Sequence, residues 1–379
     1  MGISKHPLAV RHFVNFAIDK WDISPEYLFL IGKSVSYDTA HSTIAYDACL
    51  IPTFGHHPSD NALTMRNTHE YLPQLAVGRL SANTPAEVAL YFDKILTYEN
   101  QSECMTIDDI WKKNMLHIAG GHNASQAVEL MDYLDVYEEI MENENFGGKV
   151  IKKFEQASFA VESQPEFSQY MNEGVGLINF FGHSQGYSNW NFDIEEPTDY
   201  TNGEKGIYPI IFSNSSYVGD IHEYNQTFPS NQMSLSFVEK FVLAENAGAI
   251  AIIGNVTTGF PIYSHPYFEE VCTQVAGENY GKGLGKSILQ TVHNNFIEDE
   301  NHIRYEGTKL TNACFTLQGD PAIVLAGSYE KPDFLVNTNN GFFDVENQDD
   351  VFVLLGNSLA IYFDFEVLNL GKAISDSME

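Results

Sequence analysis

The stretch "VGLINFFGHSQGYSNW", residues 175–190, decides the fold and presents the first candidate catalytic residue. Its apolar run from Leu177 to Phe181 is typical of a strand buried on both faces. Glycines at positions 182 and 186 indicate a turn directly after the run. His183 is therefore expected at the carboxyl end of a buried strand, which is the end where open α/β sheets bind their ligands.

Strand-like runs alternate with segments of helical period on both sides of this stretch. Strands are predicted within residues 27–32, 72–79, 115–121, 175–183, 208–216 and 249–255. Helices are predicted over residues 8–21, 85–99, 126–141 and 234–248. This alternation predicts an α/β fold with a mainly parallel sheet and helices on both faces.

The character of the sequence changes near residue 328. Residues 327–336 and 351–379 have short alternating apolar runs and turn residues, but no helical period. We therefore predict one α/β domain over residues 1–327, followed over residues 328–379 by the beginning of a β-rich, Ig-like sandwich module that is incomplete at the chain end.

The composition excludes two classes of partner. The 379 residues include 51 acidic and 20 basic side chains, which gives a net charge of −31 at pH 7. Such a field repels nucleic-acid backbones and anionic lipid surfaces, so we expect neither as a partner. Most of the acidic residues are expected on a solvated surface, and calcium capture by one or two acidic loops is the alternative.

Cysteine spacing and hydropathy exclude several other classes. The cysteines are widely spaced and form no CxxC pair, which argues against a zinc ribbon and a disulfide framework; they are Cys49, Cys104, Cys272 and Cys314. No apolar stretch reaches the roughly 18 residues of a membrane helix, and "MGISKHPLAVRHF" lacks the apolar core of a signal peptide. The opening Met1-Gly2 favours a segment taken from a longer chain, so the native location stays open.

A second polar segment follows the next predicted strand and supplies a candidate partner for His183. After "PIIF", residues 213–216 read Ser-Asn-Ser-Ser. The last of them, Ser216, lies 33 positions after His183. Neighbouring parallel strands would place His183 beside a nucleophile from this segment, as covalent catalysis requires. The alternative is a loop histidine bonded to backbone beside an ordinary serine-rich turn.

Several motifs in the same order resemble the gingipain-type cysteine peptidases, a caspase-like family. The resemblance covers roughly residues 8–326. The matching pieces are "AVGRLSANTPAEVALYFDKILTYE", "NFFGH" with the following "NW", "PIIFSNSSYVGDIH", "AENAGAIAIIGNVTTGF" and "FTLQGDPAIVL". Within the family, the sequences of these motifs are most similar to those of the type IX secretion sortases. The resemblance implies a caspase-like α/β/α sandwich whose first strand and helix would lie upstream of Met1.

The resemblance also assigns the catalytic residues by position. His183 stands at the catalytic histidine, while Gly219 and Asp220 match the residues three and four positions after the nucleophile. Ser216 then occupies the place of the family's cysteine. A serine hydroxyl in a site built for a thiol implies an inactive or nearly inactive chain. A deliberate Cys→Ser substitution is the favoured explanation, and a natural pseudo-peptidase or a true serine enzyme are the alternatives.

Further site residues follow from the same resemblance. Ser184 replaces the family's glycine after the histidine, and its backbone N–H would form the oxyanion hole together with that of Ser216. In the loop "GNVTTGF", Phe260 would be an aromatic wall of the specificity pocket, and Thr257 would also contact substrate. Trp190 would be a second wall. For both aromatic residues, ordinary packing is the alternative.

Metal and cofactor requirements are expected to be small. No cofactor is required for catalysis, although the resemblance implies structural calcium; no EF-hand spacing is present. His56, His57 and Asp60 share one loop, but adjacent histidines point apart on extended backbone, which disfavours a metal site there. Of two further histidines, His117 is expected in the core and His122 on an exposed loop near the cleft.

The function implied is that of a bacterial surface enzyme. A sortase of this type would cut near the C-terminal signal of a secreted polypeptide and pass the acyl group to water or to an amine on a surface glycolipid. Secretion-system subunits would be further partners, and the expected location is extracytoplasmic, at the outer membrane or cell surface of a Gram-negative bacterium. A secreted gingipain-like protease and an inactive protein that binds C-terminal signals are the alternatives.

Overall fold

The computed structural model describes residues 5–36, 39–40, 43–66, 72–99, 107–143, 145–160, 164–222, 235–299, 305–327, 334–345 and 361–369. The helices in these ranges are α1 (Pro7–Lys20), α2 (Thr43–Ala48), α3 (Pro85–Glu99), α4 (Ala124–Met141), α5 (Glu166–Glu173), α6 (Phe237–Val242), α7 (Pro261–Ala276), α8 (Leu284–Asp299) and α9 (Tyr305–Cys314). The strands are β1 (Tyr27–Ile31), β2 (Ala76–Leu80), β3 (Asn114–Gly121), β4 (Lys149–Ala157), β5 (Leu177–Gly182), β6 (Ser184–Gln185), β7 (Asn189–Trp190), β8 (Ile210–Asn214), β9 (Ala251–Asn255), β10 (Phe315–Gln318), β11 (Phe334–Val345) and β12 (Ile361–Asn369).

An eight-stranded sheet organises the fold, in the order β1-β2-β10-β9-β8-β5-β3-β4. The five strands from β9 to β4 are parallel to one another, as are β1, β2 and β10. These two blocks run in opposite directions, because β10 pairs with β9 antiparallel. The α/β prediction is confirmed, and the sheet is mostly parallel with one antiparallel junction that local sequence patterns do not reveal.

The strands at the centre of the sheet are buried because both faces are covered. Their long apolar side chains, such as Ile178, Ile211 and Ile252, have no exposed surface. In β5 and β8 the register pairs Phe181 with Asn214, so both strands end side by side. The pattern of continuous apolar runs thus places two polar loops together at one edge of the sheet.

A buried charged network fastens β2 to the loops around it. Arg79 donates from Nε and Nη2 to Asp60 at 2.7 Å each, and from Nη1 to the carbonyl oxygens of Gly32 and Ile51. Burial raises the pKa of the Asp60 carboxyl, but the charge and hydrogen bonds of Arg79 outweigh burial and hold that pKa below its ordinary value. The arginine of the "AVGRL" segment is therefore structural, since a buried charge needs a paired and hydrogen-bonded partner.

Two strands lie in the C-terminal region, and the division of the chain into two domains stays a prediction. Strands β11 and β12 pair antiparallel in a two-stranded sheet of their own. Residues 328–333, 346–360 and 370–379 lie outside the described residues, and the Ig-like assignment stays a prediction. No helix in the described parts of the chain is long and apolar enough to cross a membrane. Cys49, Cys272 and Cys314 are buried free thiols, while Cys104 lies outside the described residues.

Candidate active site

The turn after β5 holds His183 at the carboxyl edge of the sheet. The His183 N–H donates to the carbonyl oxygen of Gly120 in β3 at 3.1 Å, and its own carbonyl accepts the N–H of Asn191 at 2.8 Å. Both backbone groups of the histidine are therefore satisfied, one by β3 and one by the residue that follows β7, which fixes the origin of its side chain.

The imidazole of His183 is oriented by a residue that sequence reasoning missed. Its Nε2 lies 3.1 Å from Oε1 of Gln126, in the first turn of α4. The same oxygen accepts the N–H of His122 at 2.9 Å, while Asn123 caps the helix by accepting the N–H of Gln126. An amide oxygen only accepts, so Nε2 carries the proton and Nδ1 is left for proton transfer. The Asn-x-x-Gln cap directly after "IAGG" is the signal that points to this residue.

His122 packs flat against the ring of His183, the candidate catalytic histidine. The two rings are 3.6 Å apart between centroids with an interplanar angle of 13°, and Phe159 stacks on the outer face of His122 at 4.0 Å. His122 was expected near the cleft and lies there, but it is half-buried rather than exposed. Burial, and secondarily the charge of His122, lowers the pKa of His183. His183 is thus favoured as a neutral base.

Ser216 follows β8 on a tight turn beside this histidine. Both residues lie two positions beyond the paired Phe181 and Asn214, so the register brings them to neighbouring places on the same edge. The Ser216 Oγ accepts the N–H of Gly259 at 3.0 Å, and the Ser216 carbonyl accepts the hydroxyl of Ser184 at 2.5 Å. The two candidate residues therefore occupy neighbouring positions, and their side chains are hydrogen-bonded to different partners.

The loop after β9 supports the nucleophile turn. Tyr217 has a left-handed φ of 63° and donates its N–H to the carbonyl oxygen of Thr257 at 3.0 Å. Gly219 donates to Asn255 at 2.9 Å, and a Cβ at this glycine would lie 2.5 Å from the Gly254 oxygen. Glycine is required there because two backbones meet. Thr257 is buried and contributes its backbone to the turn.

The two predicted aromatic walls have different environments. Phe260 follows Gly259, precedes α7 and is 55 % exposed. Trp190 is only 2 % exposed and is stacked between Phe180 and Phe237, with centroid distances of 4.2 and 4.4 Å. Its Nε1 donates to the Ser213 hydroxyl at 2.8 Å. Trp190 therefore packs in the core, beneath β8. Phe260 is the exposed one of the two, and its place in a specificity pocket stays a prediction.

Ser184 fits its turn without strain. Left-handed φ values occur at three non-glycine residues of the described chain, and Ser184 is not among them. A serine backbone N–H is thus compatible with the turn, and the oxyanion role of Ser184 and Ser216 stays a prediction.

The histidines outside the site have structural environments. His117 is fully buried beside Asn179, and burial lowers its pKa to about 3. The rings of His56 and His57 do not point apart as expected, because a turn stacks them with centroids 5.3 Å apart. Both Asp60 oxygens bind Arg79. In the described ranges, no group of three His, Cys, Asp or Glu side chains is arranged to hold a metal ion.

Comparison with known proteins identifies the fold and the family. The sequence profile of Peptidase family C25 matches residues 2–326. The fold is similar to the crystal structure of the Arg-specific cysteine proteinase gingipain R (RgpB), with 17 % identity, a TM-score of 0.63, and coverage of 89 % of this chain and 74 % of that one. A complex of the Porphyromonas gingivalis RgpB pro- and mature domains gives 16 % identity, a TM-score of 0.65, and coverage of 89 % and 76 %.

The same fold recurs in a third structure, described as a protease, with 15 % identity, a TM-score of 0.61, and coverage of 88 % and 72 %. A search of curated proteins found no match. The predicted caspase-like architecture is thus confirmed by its gingipain neighbours, and the profile match extends over most of the sequence. This chain belongs to peptidase family C25, a family of cysteine peptidases.

Proposed function

We propose that this chain is the catalytic domain of a sortase of the type IX secretion system, similar to PorU, in which Ser216 has stopped the acyl-transfer step. The single observation that supports the loss of activity is that the two candidate catalytic side chains are hydrogen-bonded to different partners. His183 binds Gln126, whereas the Ser216 Oγ is held by the Gly259 N–H.

This separation matters more for serine than for cysteine. A cysteine thiol has an ordinary pKa of about 8.5 and is easily ionised beside an imidazole. A serine hydroxyl must instead pass its proton to a hydrogen-bonded base during attack. The Gly259 N–H donates to the Ser216 Oγ and leaves the hydroxyl proton free, but among the described residues no hydrogen bond joins this hydroxyl to the His183 ring, so we expect little turnover from the hydroxyl.

With cysteine at position 216, the same geometry supports a complete acyl transfer. The thiol proton passes to His183, and the thiolate attacks the peptide carbonyl carbon. The backbone N–H groups of Ser184 and residue 216 bind the resulting oxyanion. The C–N bond then breaks as His183 returns its proton to the leaving amine. Water or an amine attacks the thioester to release the product.

Gln126 has a limited role in this sequence. Its oxygen keeps the proton on Nε2 and holds the ring in one orientation throughout. Because an amide is neutral, Gln126 orients the imidazole without the charge that would stabilise an imidazolium. The base therefore depends on geometry more than on electrostatic support.

The sortase assignment rests on the sequence of one motif and on the C-terminal strands. The segment "SNSSYVGDIH" and a β module after the peptidase domain support it. The substrate would be the C-terminal region of secreted proteins, with a surface glycolipid amine as acceptor and secretion-system subunits as partners. We place the protein outside the cytoplasm, at the outer membrane or cell surface of a Gram-negative bacterium, and allow structural calcium but no catalytic cofactor.

A catalytically inactive protein that binds C-terminal signals is the second candidate. The observation that favours it is the hydrogen bond from the Ser184 hydroxyl to the Ser216 carbonyl, which a glycine at position 184 could not make. This bond joins the histidine turn to the nucleophile turn. A protein that binds peptides without cleaving them would be stabilised in its binding conformation by such a connection.

Restoring the thiol separates these functions. The Ser216→Cys variant is incubated with secreted-protein C-terminal peptides and with an electrophilic peptide probe, beside Ser215→Cys as a matched control. Cleavage and labelling by Ser216→Cys, both lost on adding His183→Ala, support the peptidase. Labelling without cleavage of any C-terminal peptide contradicts the sortase role, and absence of both, with retained peptide binding, supports the inactive binding protein.

A further inference from the structure

A cavity of 480 Å³ lies outside the site described above. It opens to solvent and is lined by α1, by the segment from Phe54 to Met65 and by α9. One wall is Cys314, whose carbonyl oxygen accepts the N–H of Val256 at the beginning of the active-site loop. The cavity and the nucleophile turn therefore contact the same loop from different directions.

Arg11 is the unusual residue of this cavity. It is only 5 % exposed, and its guanidinium lies 3.9 Å from the centroid of the Phe54 ring. Its Nε and Nη2 both donate to one acceptor, the carbonyl oxygen of Ala62. In the described part of the chain, Nη1 has no hydrogen-bond partner and no carboxylate lies within ion-pair distance of this guanidinium.

The other arginines of the described residues show what Arg11 lacks. Arg79 is buried and binds Asp60 through two hydrogen bonds, and Arg66 pairs in the same way with Asp19 at the surface. A largely buried guanidinium without an anion is costly, because its charge has lost part of its water and gained no counter-charge. Arg11 is thus a cation that a ligand carboxylate would stabilise.

The other residues that line the cavity indicate the chemistry of the rest of that ligand. Beyond Arg11 and Phe54 the inner wall is mostly apolar, formed by Ala62, Met65, Leu310, Ala313 and Cys314. Polar residues line it on two sides: His56, His57 and Ser59 belong to the segment from Phe54 to Met65. On α9, Lys309 neutralises Glu306 at 3.2 Å. A volume of this size is typical of small-molecule sites, which combine an apolar lining with a few orienting polar groups.

We propose that this cavity is a binding site for an organic carboxylate with an apolar body, whose carboxylate pairs with Arg11. A fatty acid and the free C-terminus of a peptide ending in an apolar residue share this chemistry. The site is separate from the peptidase reaction, and its occupancy does not require a nucleophile at position 216.

Isothermal titration calorimetry of the full chain with octanoate and with 1-octanol tests the charge requirement. Octanoate is expected to bind at least about tenfold more tightly than the alcohol, because a hydrogen bond to a charged group contributes roughly 1.5–3 kcal/mol. Arg11→Met should remove this difference, while Arg66→Met, at an exposed arginine that already has a carboxylate, should preserve it. Equal binding of the acid and the alcohol by the unaltered chain overturns the proposal.

A second pair of measurements keeps the test decisive if Arg11→Met does not fold. Ala313→Phe leaves Arg11 in place and fills the cavity, so it should abolish octanoate binding; unchanged binding places the ligand elsewhere and contradicts the proposal. The Arg11 Nε–H resonance should shift on adding octanoate. N-acetyl-leucine and its amide then identify the source: tighter binding of this acid than of octanoate favours a peptide C-terminus, and the reverse favours a fatty acid.

Discussion

The Nε2 of His183 lies 3.1 Å from the Oε1 of Gln126, so a neutral side chain orients the candidate base. Gln126 is held in turn by the first turn of α4, where its oxygen also accepts the N–H of His122. The base is thus anchored to a helix as well as to the strand that carries it, which limits its motion during proton transfer.

Replacing this amide by a carboxylate should strengthen the base. Gln126→Glu preserves both accepting contacts and adds a negative charge, which favours the imidazolium. We expect the pKa of His183 to rise by about one unit or more, as measured by NMR titration of its ring protons. Gln126→Met, which removes the acceptor, should not raise it. An unchanged pKa in the Glu variant would show that the Gln126 contact is not maintained in solution.

Removing the stacked histidine should also raise the pKa of His183. In the unaltered chain, burial and the charge of His122 both lower the pKa of His183. The His122→Ala variant exposes more of the His183 ring and removes that charge, so both effects become weaker. Phe159→Ala is the control, because it removes the outer ring of the stack and leaves the 3.6 Å contact between the histidines intact. A lower pKa for His183 in His122→Ala would contradict this account.

The Asp60–Arg79 pair should be essential for stability. Asp60→Asn leaves a buried arginine without counter-charge, and we expect a loss of about 3–5 kcal/mol in the free energy of unfolding. Urea denaturation at pH 7 measures it. Asp19→Asn, which breaks an exposed arginine pair, should cost far less, because solvent screens that pair. Similar losses in the two variants would mean that burial does not distinguish the pairs.

The same pair should contribute to acid unfolding. The folded pKa of Asp60 lies below its ordinary value, so its stabilisation is complete above the unfolded pKa and is lost as pH falls through the folded one. The Asp60→Asn variant should therefore lose less of its unfolding free energy between pH 5 and pH 2, as approximate limits, than the unaltered chain. Parallel stability curves for the two proteins would exclude this contribution.

His117 should make the unfolding free energy pH-dependent in a milder range. Burial lowers the pKa of His117 in the folded chain to about 3. Between about pH 6.5 and that value, the His117 imidazole stays neutral in the folded chain but takes up a proton in the unfolded chain. The unfolding free energy should fall as pH drops from about 6.5, by up to about 1.4 kcal/mol per unit from this one group. His117→Gln should reduce that slope, whereas His12→Gln, at an exposed helical position, should leave it unchanged.

Much of the fold was readable from local patterns. The apolar runs of β5 and β8 predicted buried strands, and the parallel arrangement they implied placed His183 and Ser216 at one edge. Helix α3 begins at Pro85, where the sequence predicted a first turn. These features depend on residues close together in the chain, which is why periodicity and turn chemistry reveal them.

The missed features depend on residues far apart in the chain. The antiparallel pairing of β10 with β9 requires the strand order, which no local pattern contains. Trp190 was considered as a pocket wall, and only the packing of Phe180 and Phe237 on its two faces shows that it lies in the core. The contact of Gln126 with His183 likewise requires that β3 and β5 be neighbours.

The opposed halves of the sheet have a consequence for synthesis on the ribosome. Strand β2 reaches the rest of the sheet through β10, where Arg79 pairs with Gln318. During translation the N-terminal strands therefore emerge long before the segment that joins them to the others. Until that segment has left the exit tunnel, one edge of β2 has no partner strand, a state prone to association with other chains. We expect nascent chains that end before β10 to depend on chaperones.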